Sequence, residues 1–200
     1  IDALIAKHGI IGYENYLQVL RTDKAKFEEF VNYLTINVSE FYRDTDQWQI
    51  MERTVVPELI GKFGKSLRIW SAACSTGDEP YSLVMALSRH IPLYMIHVVA
   101  TDLDKQVIAK AKTGLYSEKS IAGVPADLKK KYFTKVGLSY QISNDIKSKV
   151  EFREHNLLSN DFPRGYYHMI VCRNVLIYFT EEAKDEIYMN FSKALKPGGI

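Results

Sequence analysis

The feature that most constrains the fold is a change of hydrophobic period near the end of the first third of the chain. Residues 67–73 form an apolar strand pattern that runs into a turn of small residues, and a helical pattern follows at 80–91. A second strand and helix follow at 97–102 and 104–112. This alternation predicts a parallel sheet with right-handed crossovers, so the expected fold class is α/β with a Rossmann-like sheet.

The rest of the chain predicts accessory elements around that sheet. Residues 1–35 show only helical periods, and residues 46–61 predict a helix that ends at Gly61 and is disturbed by Pro57. The segment 132–153 contains short strands separated by turns, and its last strand is expected to rejoin the main sheet. A continuous apolar strand at 167–172 precedes a helix that begins at about Thr180.

These patterns predict three parts. A helical N-terminal domain occupies 1–36, a linker and helix occupy 37–66, and an α/β domain occupies 67–200 with a small antiparallel β-subdomain at about 132–153. The chain opens within a helical pattern and stops at a turn that should lead into another strand, so residues are expected to be missing at both ends.

Composition narrows the function classes. The net charge of +2 counts against a polyanion such as nucleic acid as the main partner. No apolar run approaches the roughly 20 residues that a membrane helix needs, and Cys74 and Cys172 lie in small or apolar runs typical of reduced, buried thiols. The five histidines show no metal-ligand spacing, so no metal site is expected.

The turn after the first strand predicts a ligand site. Residues 72–77 are small, which lets a ligand approach the backbone, but they match neither a dinucleotide fingerprint nor a phosphate loop. Asp78 and Glu79 follow, and two carboxylates would repel a phosphate but suit a cationic ligand such as the methionyl ammonium of S-adenosylmethionine. The alternative is a capped turn without a ligand.

Two further strand ends carry side chains that suit an adenosine. Asp102 ends the second strand, where a carboxylate can accept hydrogen bonds from a ribose diol; it could also be a helix N-cap, a role for which Asp104 competes. Asn156 and Leu157 follow a later strand and could meet an adenine edge and ring, although an Asn in a plain turn is commoner.

Three stretches taken together resemble one family, the chemotaxis receptor glutamate methyltransferases of the CheR type. They are residues 37–43 (NVSEFYR), 69–82 (IWSAACSTGDEPYS) and 172–179 (CRNVLIYF). The resemblance implies a class I methyltransferase sheet and the use of S-adenosylmethionine, with S-adenosylhomocysteine as product. It implies methylation of glutamate side chains on the cytoplasmic helical bundle of chemoreceptors by a cytoplasmic, monomeric enzyme without membrane insertion.

The resemblance also implies residue roles. The cofactor-binding residues would be Asn37, Ser39, Arg43, Ala73, Glu79, Asp102, Asn156, Leu157, Asn174 and Val175, and the catalytic residues would be Arg43 and Tyr178. Ser39, Tyr42 and Asp78 stand where the family commonly has Thr, Phe and Glu. The short turn near Gly137 argues against docking of a receptor's C-terminal peptide.

Methyl transfer to an ionised carboxylate needs alignment and not a strong base, so Arg43 is expected to clamp the carboxylate and Tyr178 to fix its approach. From the residues alone, Arg43 could instead be a surface or capping arginine, and Tyr178 a core aromatic beside Phe179. A methyltransferase with another substrate and a non-catalytic module that senses the cofactor remain as alternatives. The lysines at 129–131 are either a solvated helix end or a contact to an acidic receptor face.

Overall fold

The computed structural model describes residues 1–34 and 39–200, and the chain divides into two compact units, Ile1–Val38 and Ser39–Ile200. The helices are α1 (Asp2–Lys7), α2 (Tyr13–Thr22), α3 (Lys24–Leu34), α4 (Thr45–Ile50), α5 (Val56–Phe63), α6 (Asp78–Leu87), α7 (Lys105–Thr113), α8 (Ala126–Tyr132), α9 (Asn144–Lys147) and α10 (Glu181–Ala194). The strands are β1 (Arg68–Ala72), β2 (His97–Asp102), β3 (Leu115–Ser117), β4 (Phe133–Val136), β5 (Ser139–Ile142), β6 (Val150–Glu154) and β7 (Met169–Val171).

The first unit consists of α1, α2 and α3, as the helical periods predict. Leu4 and Tyr16 are its buried residues in the first two helices, and the Tyr16 ring meets the edge of Phe30 at 5.9 Å between ring centroids. The backbone N–H of Lys26 donates to Asp23 Oδ1 at 3.1 Å, so Asp23 caps the start of the third helix.

The helix predicted at 46–61 runs from Thr45 to Phe63 and consists of α4, a π-helical turn and α5. A π-helical turn at Met51–Val55 separates α4 from α5, and it lets Pro57 occupy the first turn of α5, where no intrahelical donor is needed. The helix therefore passes Gly61 and ends at Phe63, since Gly64 at φ 75° is its cap. This helix belongs to the same compact unit as the sheet.

The main sheet is parallel and has the order β6-β2-β1-β7. It confirms the predicted α/β class and the expectation that the last strand of the 132–153 segment rejoins the main sheet. At its β7 margin, Ile200 pairs with the strand, because its N–H donates to the His168 carbonyl at 3.0 Å and its carbonyl accepts from Ile170 at 2.9 Å.

Alternate residues of the sheet face two separate apolar cores. Ile69 and Val98 belong to the larger core beneath α5 and α6, whereas Trp70 and Val99 belong to the smaller core with α10. This period of two is the reason that parallel strands covered on both faces are apolar along their whole length.

A separate antiparallel sheet has the order β3-β5-β4. It begins earlier than the span expected for the β-subdomain, because β3 pairs Leu115–Ser117 with β5. Three residues are too few to show an alternating pattern, which is why this strand leaves no signal in the sequence. The first strand of the 132–153 segment, β4, starts at Phe133, because the chain is helical up to Tyr132.

Candidate active site

The four parallel strands bring most of the predicted site residues to one edge. Ala73 follows β1, Asp102 ends β2, Asn156 lies two residues beyond β6, and Asn174 lies three residues beyond β7. Because the strands are parallel and adjacent, these positions all lie along the carboxyl edge of one sheet, the usual place for a ligand in an open α/β sheet.

The turn between β1 and α6 has an unusual backbone. Ala73, Ser75 and Gly77 have φ values of 60°, 48° and 88°. A Cβ at Gly77 would lie 2.9 Å from Ala111 Cβ and 3.2 Å from the Tyr116 hydroxyl, so only glycine fits there. Strained residues of this kind cluster at ligand sites, which supports the small-residue turn as the place where a ligand meets the backbone.

Glu79 lies in the first turn of α6 beside this turn. Its Oε1 accepts a hydrogen bond from Ser71 Oγ at 2.8 Å. Burial raises the pKa of Glu79 to about 7, against the opposing effects of the Ser71 hydrogen bond and the charge of Arg173. A carboxyl group in this state gains its charge at little cost when a cation binds next to it.

Asp78 has a different role from the one expected. It is fully buried, its Oδ2 accepts from Thr76 Oγ1 at 2.6 Å, and its Oδ1 accepts from Ser120 Oγ at 2.6 Å. Its carboxylate is therefore occupied in holding the turn against the loop after β3. Asp78 thus uses both of its oxygens within the protein, whereas Glu79 has one oxygen that Ser71 does not contact, and a cation beside Glu79 stays a prediction.

Asp102 is arranged as an acceptor at the end of β2. Its Oδ2 accepts from the Ser75 N–H at 2.8 Å and its Oδ1 from the Asp104 N–H at 3.0 Å. Burial raises its pKa. The N-cap of α7 is Asp104, whose Oδ1 accepts from Gln106 N–H at 2.7 Å, so the capping alternative for Asp102 does not apply.

Asn156 and Leu157 lie next to Asp102. The N–H of His155 donates to the Asp102 carbonyl at 3.0 Å and fixes the two strand ends side by side. Asn156 Oδ1 accepts from the Leu158 N–H at 2.9 Å. The side chain therefore stabilises a local turn, which is the alternative to a contact with adenine. Leu157 is 7% exposed and packs in the smaller core.

Arg43 lies in a loop that is fixed on both sides of it. Its carbonyl oxygen accepts from Trp48 Nε1 at 2.9 Å and from Arg173 Nη2 at 3.1 Å. Arg173 also binds Asp44 Oδ2 at 2.7 Å. Sequence reasoning missed Arg173, although it lies within one of the three motifs.

The end of β7 presents the remaining predicted residues. Asn174 has φ 59° and is exposed, and Val175 precedes a 3₁₀ turn at Leu176–Tyr178. Tyr178 is 65% exposed, which rules out the core aromatic alternative. Ser39 is partly buried, and Asn37 lies outside the described residues.

Both thiols and His168 are buried or partly buried. Burial raises the pKa of Cys74 and raises that of Cys172 to about 12, which disfavours the thiolate form of both. The ring of His168 accepts the Arg68 N–H at its Nδ1 at 2.8 Å. Among residues 1–34 and 39–200, no group of three His, Cys, Asp or Glu side chains could hold a metal ion.

A parallel sheet with a small-residue turn after β1, an acid in the first turn of α6 and another at the end of β2 is the arrangement expected of an S-adenosylmethionine-dependent methyltransferase. The chain belongs to the CheR methyltransferase family, because the family model described as "CheR methyltransferase, SAM binding domain" matches residues 37–200. Its activity is therefore the methylation of chemoreceptors with S-adenosylmethionine.

Longer relatives, of which this chain spans about two thirds to three quarters, support this assignment. The chain is 36% identical to the chemotaxis protein methyltransferase of Listeria innocua, over 100% of this chain and 76% of that protein. It is 36% identical to chemotaxis protein methyltransferase 1 of Pseudomonas aeruginosa, with the same coverage of both chains. It is 33% identical to chemotaxis protein methyltransferase 2 of Vibrio cholerae, over 94% of this chain and 68% of that protein.

Within the part of the chain that the structure describes, every helix is too short or too polar to span a membrane.

Proposed function

We propose that the protein transfers the methyl group of S-adenosylmethionine to glutamate side-chain carboxylates on the cytoplasmic helical bundle of chemoreceptors, and that it acts as a monomer in the cytoplasm. The observation that carries the proposal is the pair of acids at the carboxyl edge, Glu79 beside the strained turn and Asp102 across from it. The nearly neutral charge of +2 fits a protein substrate better than nucleic acid.

Glu79 fits the ammonium end of the cofactor. Its carboxyl is partly buried, has a pKa of about 7 and keeps one oxygen that Ser71 does not contact. A cation placed there stabilises the ionised form, so the two charges reinforce one another in a site of low dielectric. Ala73, with its φ of 60° and small side chain, would let the ligand lie against the backbone between them.

Asp102 fits the ribose. Each of its oxygens already accepts one backbone N–H, from Ser75 and from Asp104, which fixes the plane of the carboxylate. A carboxylate has about four acceptor sites, so Asp102 keeps acceptor capacity for the ribose diol beside these two N–H groups. Asn156 and Leu157 would then lie on the adenine side, since His155 bonds to the Asp102 carbonyl.

The reaction needs alignment more than proton transfer. When bound, S-adenosylmethionine supplies a methyl group on a positively charged sulfur, and a glutamate carboxylate is already ionised at neutral pH. The protein must therefore bring the carboxylate into line and exclude water. Arg43 orients the carboxylate as a permanent cation, and Tyr178, exposed at the end of β7, limits its approach.

Asn37, Ser39, Asn174 and Val175 remain cofactor contacts proposed from the family resemblance. Asn174 and Val175 follow β7, the strand next to β1, and so lie on the same edge as Ala73. This position of Asn174 and Val175 supports a contact with a cofactor bound at that edge.

Mass spectrometry of a receptor cytoplasmic fragment, incubated with enzyme and labelled cofactor, tests the proposal. We expect a gain of one methyl group on individual glutamates, and loss of the label on mild alkaline treatment, because carboxyl esters hydrolyse there. In the Arg43→Ala variant, methylation should fall by about a hundredfold or more, far more than binding of S-adenosylhomocysteine weakens, because Arg43 is proposed both to contact the cofactor and to orient the substrate carboxylate. Label on nucleic acid, or cofactor binding with no transfer to any receptor fragment, would refute the proposed substrate.

A further inference from the structure

The backbone on both sides of Arg43 is held in an unfavourable conformation. Tyr42 has φ 53° and Asp44 has φ 60°, the left-handed region that side chains other than glycine seldom adopt. Such conformations are energetically costly and persist only where surrounding contacts impose them. The contacts that impose them therefore decide where the Arg43 side chain begins.

On the amino-terminal side, two successive N–H groups are held by the body of the domain. Phe41 N–H donates to the Ser120 carbonyl at 3.0 Å, and Tyr42 N–H donates to Ser82 Oγ at 3.1 Å. Phe41 and Tyr42 are 1% and 3% exposed, so this half of the loop is fixed by packing as well as by hydrogen bonds.

On the carboxyl-terminal side, one side chain from a neighbouring strand end holds the loop. Arg173 Nη2 donates to the Arg43 carbonyl at 3.1 Å and to Asp44 Oδ2 at 2.7 Å. Its guanidinium lies 5.9 Å from the centre of the Trp48 ring, and the Trp48 indole N–H binds the same carbonyl at 2.9 Å. The Arg173 side chain is only 21% exposed.

We infer that Arg173 is a positioning residue that sets the place of Arg43, by clamping the main chain at 43 and the Asp44 carboxylate to the end of β7. The inference rests on the proposed role of Arg43 in orienting the substrate carboxylate. Tyr178 is on the same segment as Arg173, five residues further on, so the clamp ties together the two loops that carry the proposed catalytic side chains.

The contacts of Arg173 are more than an ordinary surface ion pair. An exposed ion pair contributes little to stability, but here the guanidinium also donates to a main-chain carbonyl and lies near an indole ring. A lysine would keep the positive charge that acts on Glu79, but its side chain is shorter and would not bring a nitrogen to the position of Nη2, which makes both bonds. The two functions of the side chain can therefore be separated by substitution.

The test measures kcat and KM for a receptor fragment together with the Kd for S-adenosylhomocysteine. Arg173→Lys should lower kcat about 10- to 100-fold and change the Kd less than about threefold, because a displacement near 1 Å is enough to cost that much rate. Asp44→Asn, which leaves Arg173 in place beside Glu79, should lower kcat about 3- to 10-fold with the Kd unchanged. The exposed Arg164 provides the control, and Arg164→Lys should stay within about twofold of wild type.

A double-mutant cycle with Arg43→Lys decides whether Arg173 acts through Arg43. Coupling is expected, so that Arg173→Lys has little further effect on kcat once Arg43 is changed. Additive effects, or a normal kcat for Arg173→Lys in a protein of unchanged thermal stability, would overturn the inference alone. A normal kcat for Arg43→Lys and Arg43→Ala would instead overturn the proposed role of Arg43.

Discussion

Replacing Glu79 with glutamine should stabilise the protein at pH 8 much more than at pH 5. Burial raises the pKa of Glu79 from 4.5 to about 7, so the folded protein keeps a proton that the unfolded chain has released between these two values. Folding stability therefore falls as the pH rises through this window and is lowest above pH 7. The full difference between the two pKa values corresponds to a loss of about 3 kcal/mol in the free energy of unfolding.

The stabilisation that Glu79→Gln gains between pH 5 and pH 8 should be somewhat smaller than this limit of about 3 kcal/mol. The carboxyl is partly accessible, and at pH 5 part of the cost is already present, which leaves about 2 kcal/mol between pH 5 and pH 8. A glutamine side chain at this position would retain an oxygen acceptor for the Ser71 hydroxyl, so the substitution removes the charge and leaves the hydrogen bond.

Urea unfolding of wild type and Glu79→Gln at the two pH values measures this difference directly. Glu118 is an exposed glutamate in the same unit, and Glu118→Gln should show the same stability relative to wild type at both pH values. If the free energy of unfolding of Glu79→Gln differs from wild type by the same amount at pH 5 and pH 8, the carboxyl does not titrate near 7 and the reasoning fails.

The same substitution should weaken the cofactor site. A cationic ligand favours the ionised carboxylate, so binding to wild type should release a proton near pH 6 and tighten as the pH rises to about 7. In Glu79→Gln that proton release should disappear and the Kd for S-adenosylhomocysteine should rise about tenfold or more. Calorimetry in two buffers of different ionisation enthalpy measures the proton release and the Kd. If Glu79→Gln released as many protons as wild type, the ligand's ammonium would not bind beside Glu79.

Three further substitutions test other parts of the site. Gly77→Ala forces a Cβ to within 2.9 Å of Ala111 Cβ at φ 88° and should cost about 2–3 kcal/mol; an unchanged melting temperature would contradict this. Asp102→Asn should weaken S-adenosylhomocysteine binding about tenfold with an unchanged circular dichroism spectrum, and wild-type affinity would exclude Asp102 from the ribose site. Tyr178→Phe should lower kcat with unchanged stability, since the side chain is 65% exposed, and an unchanged kcat would exclude a role for the hydroxyl.

Sequence patterns predicted the parallel sheet because β1, β2 and β7 are largely apolar and each is followed by a helical pattern. The strand at His97–Asp102 has the predicted bounds, and the cap at Thr180 begins α10 as expected. The patterns failed at two places. A local π-helical turn before Pro57 lets the helix continue to Phe63, and β3 is a strand because it pairs with β5, which is distant in sequence.

In the site too, residues marked by local sequence could be predicted, and residues whose partners are distant in sequence could not. Glu79 and Asp102 are recognisable because they follow strands at the edge where ligands bind. The role of Asp78 is not recognisable, since its partner Ser120 is 42 residues away, and neither is that of Arg173, whose partner Asp44 is 129 residues away. No local spacing encodes such pairs.

The buried Asp78 has a consequence for engineering. Through Ser120 it connects the start of α6 to Phe41, whose ring packs against Tyr116 of β3 at 4.7 Å and Phe133 of β4 at 5.3 Å. The antiparallel sheet is thus not a detachable module. A chimera that imports this sheet from a relative should keep methyl transfer only if the matching residues at 41, 78 and 120 are imported with it.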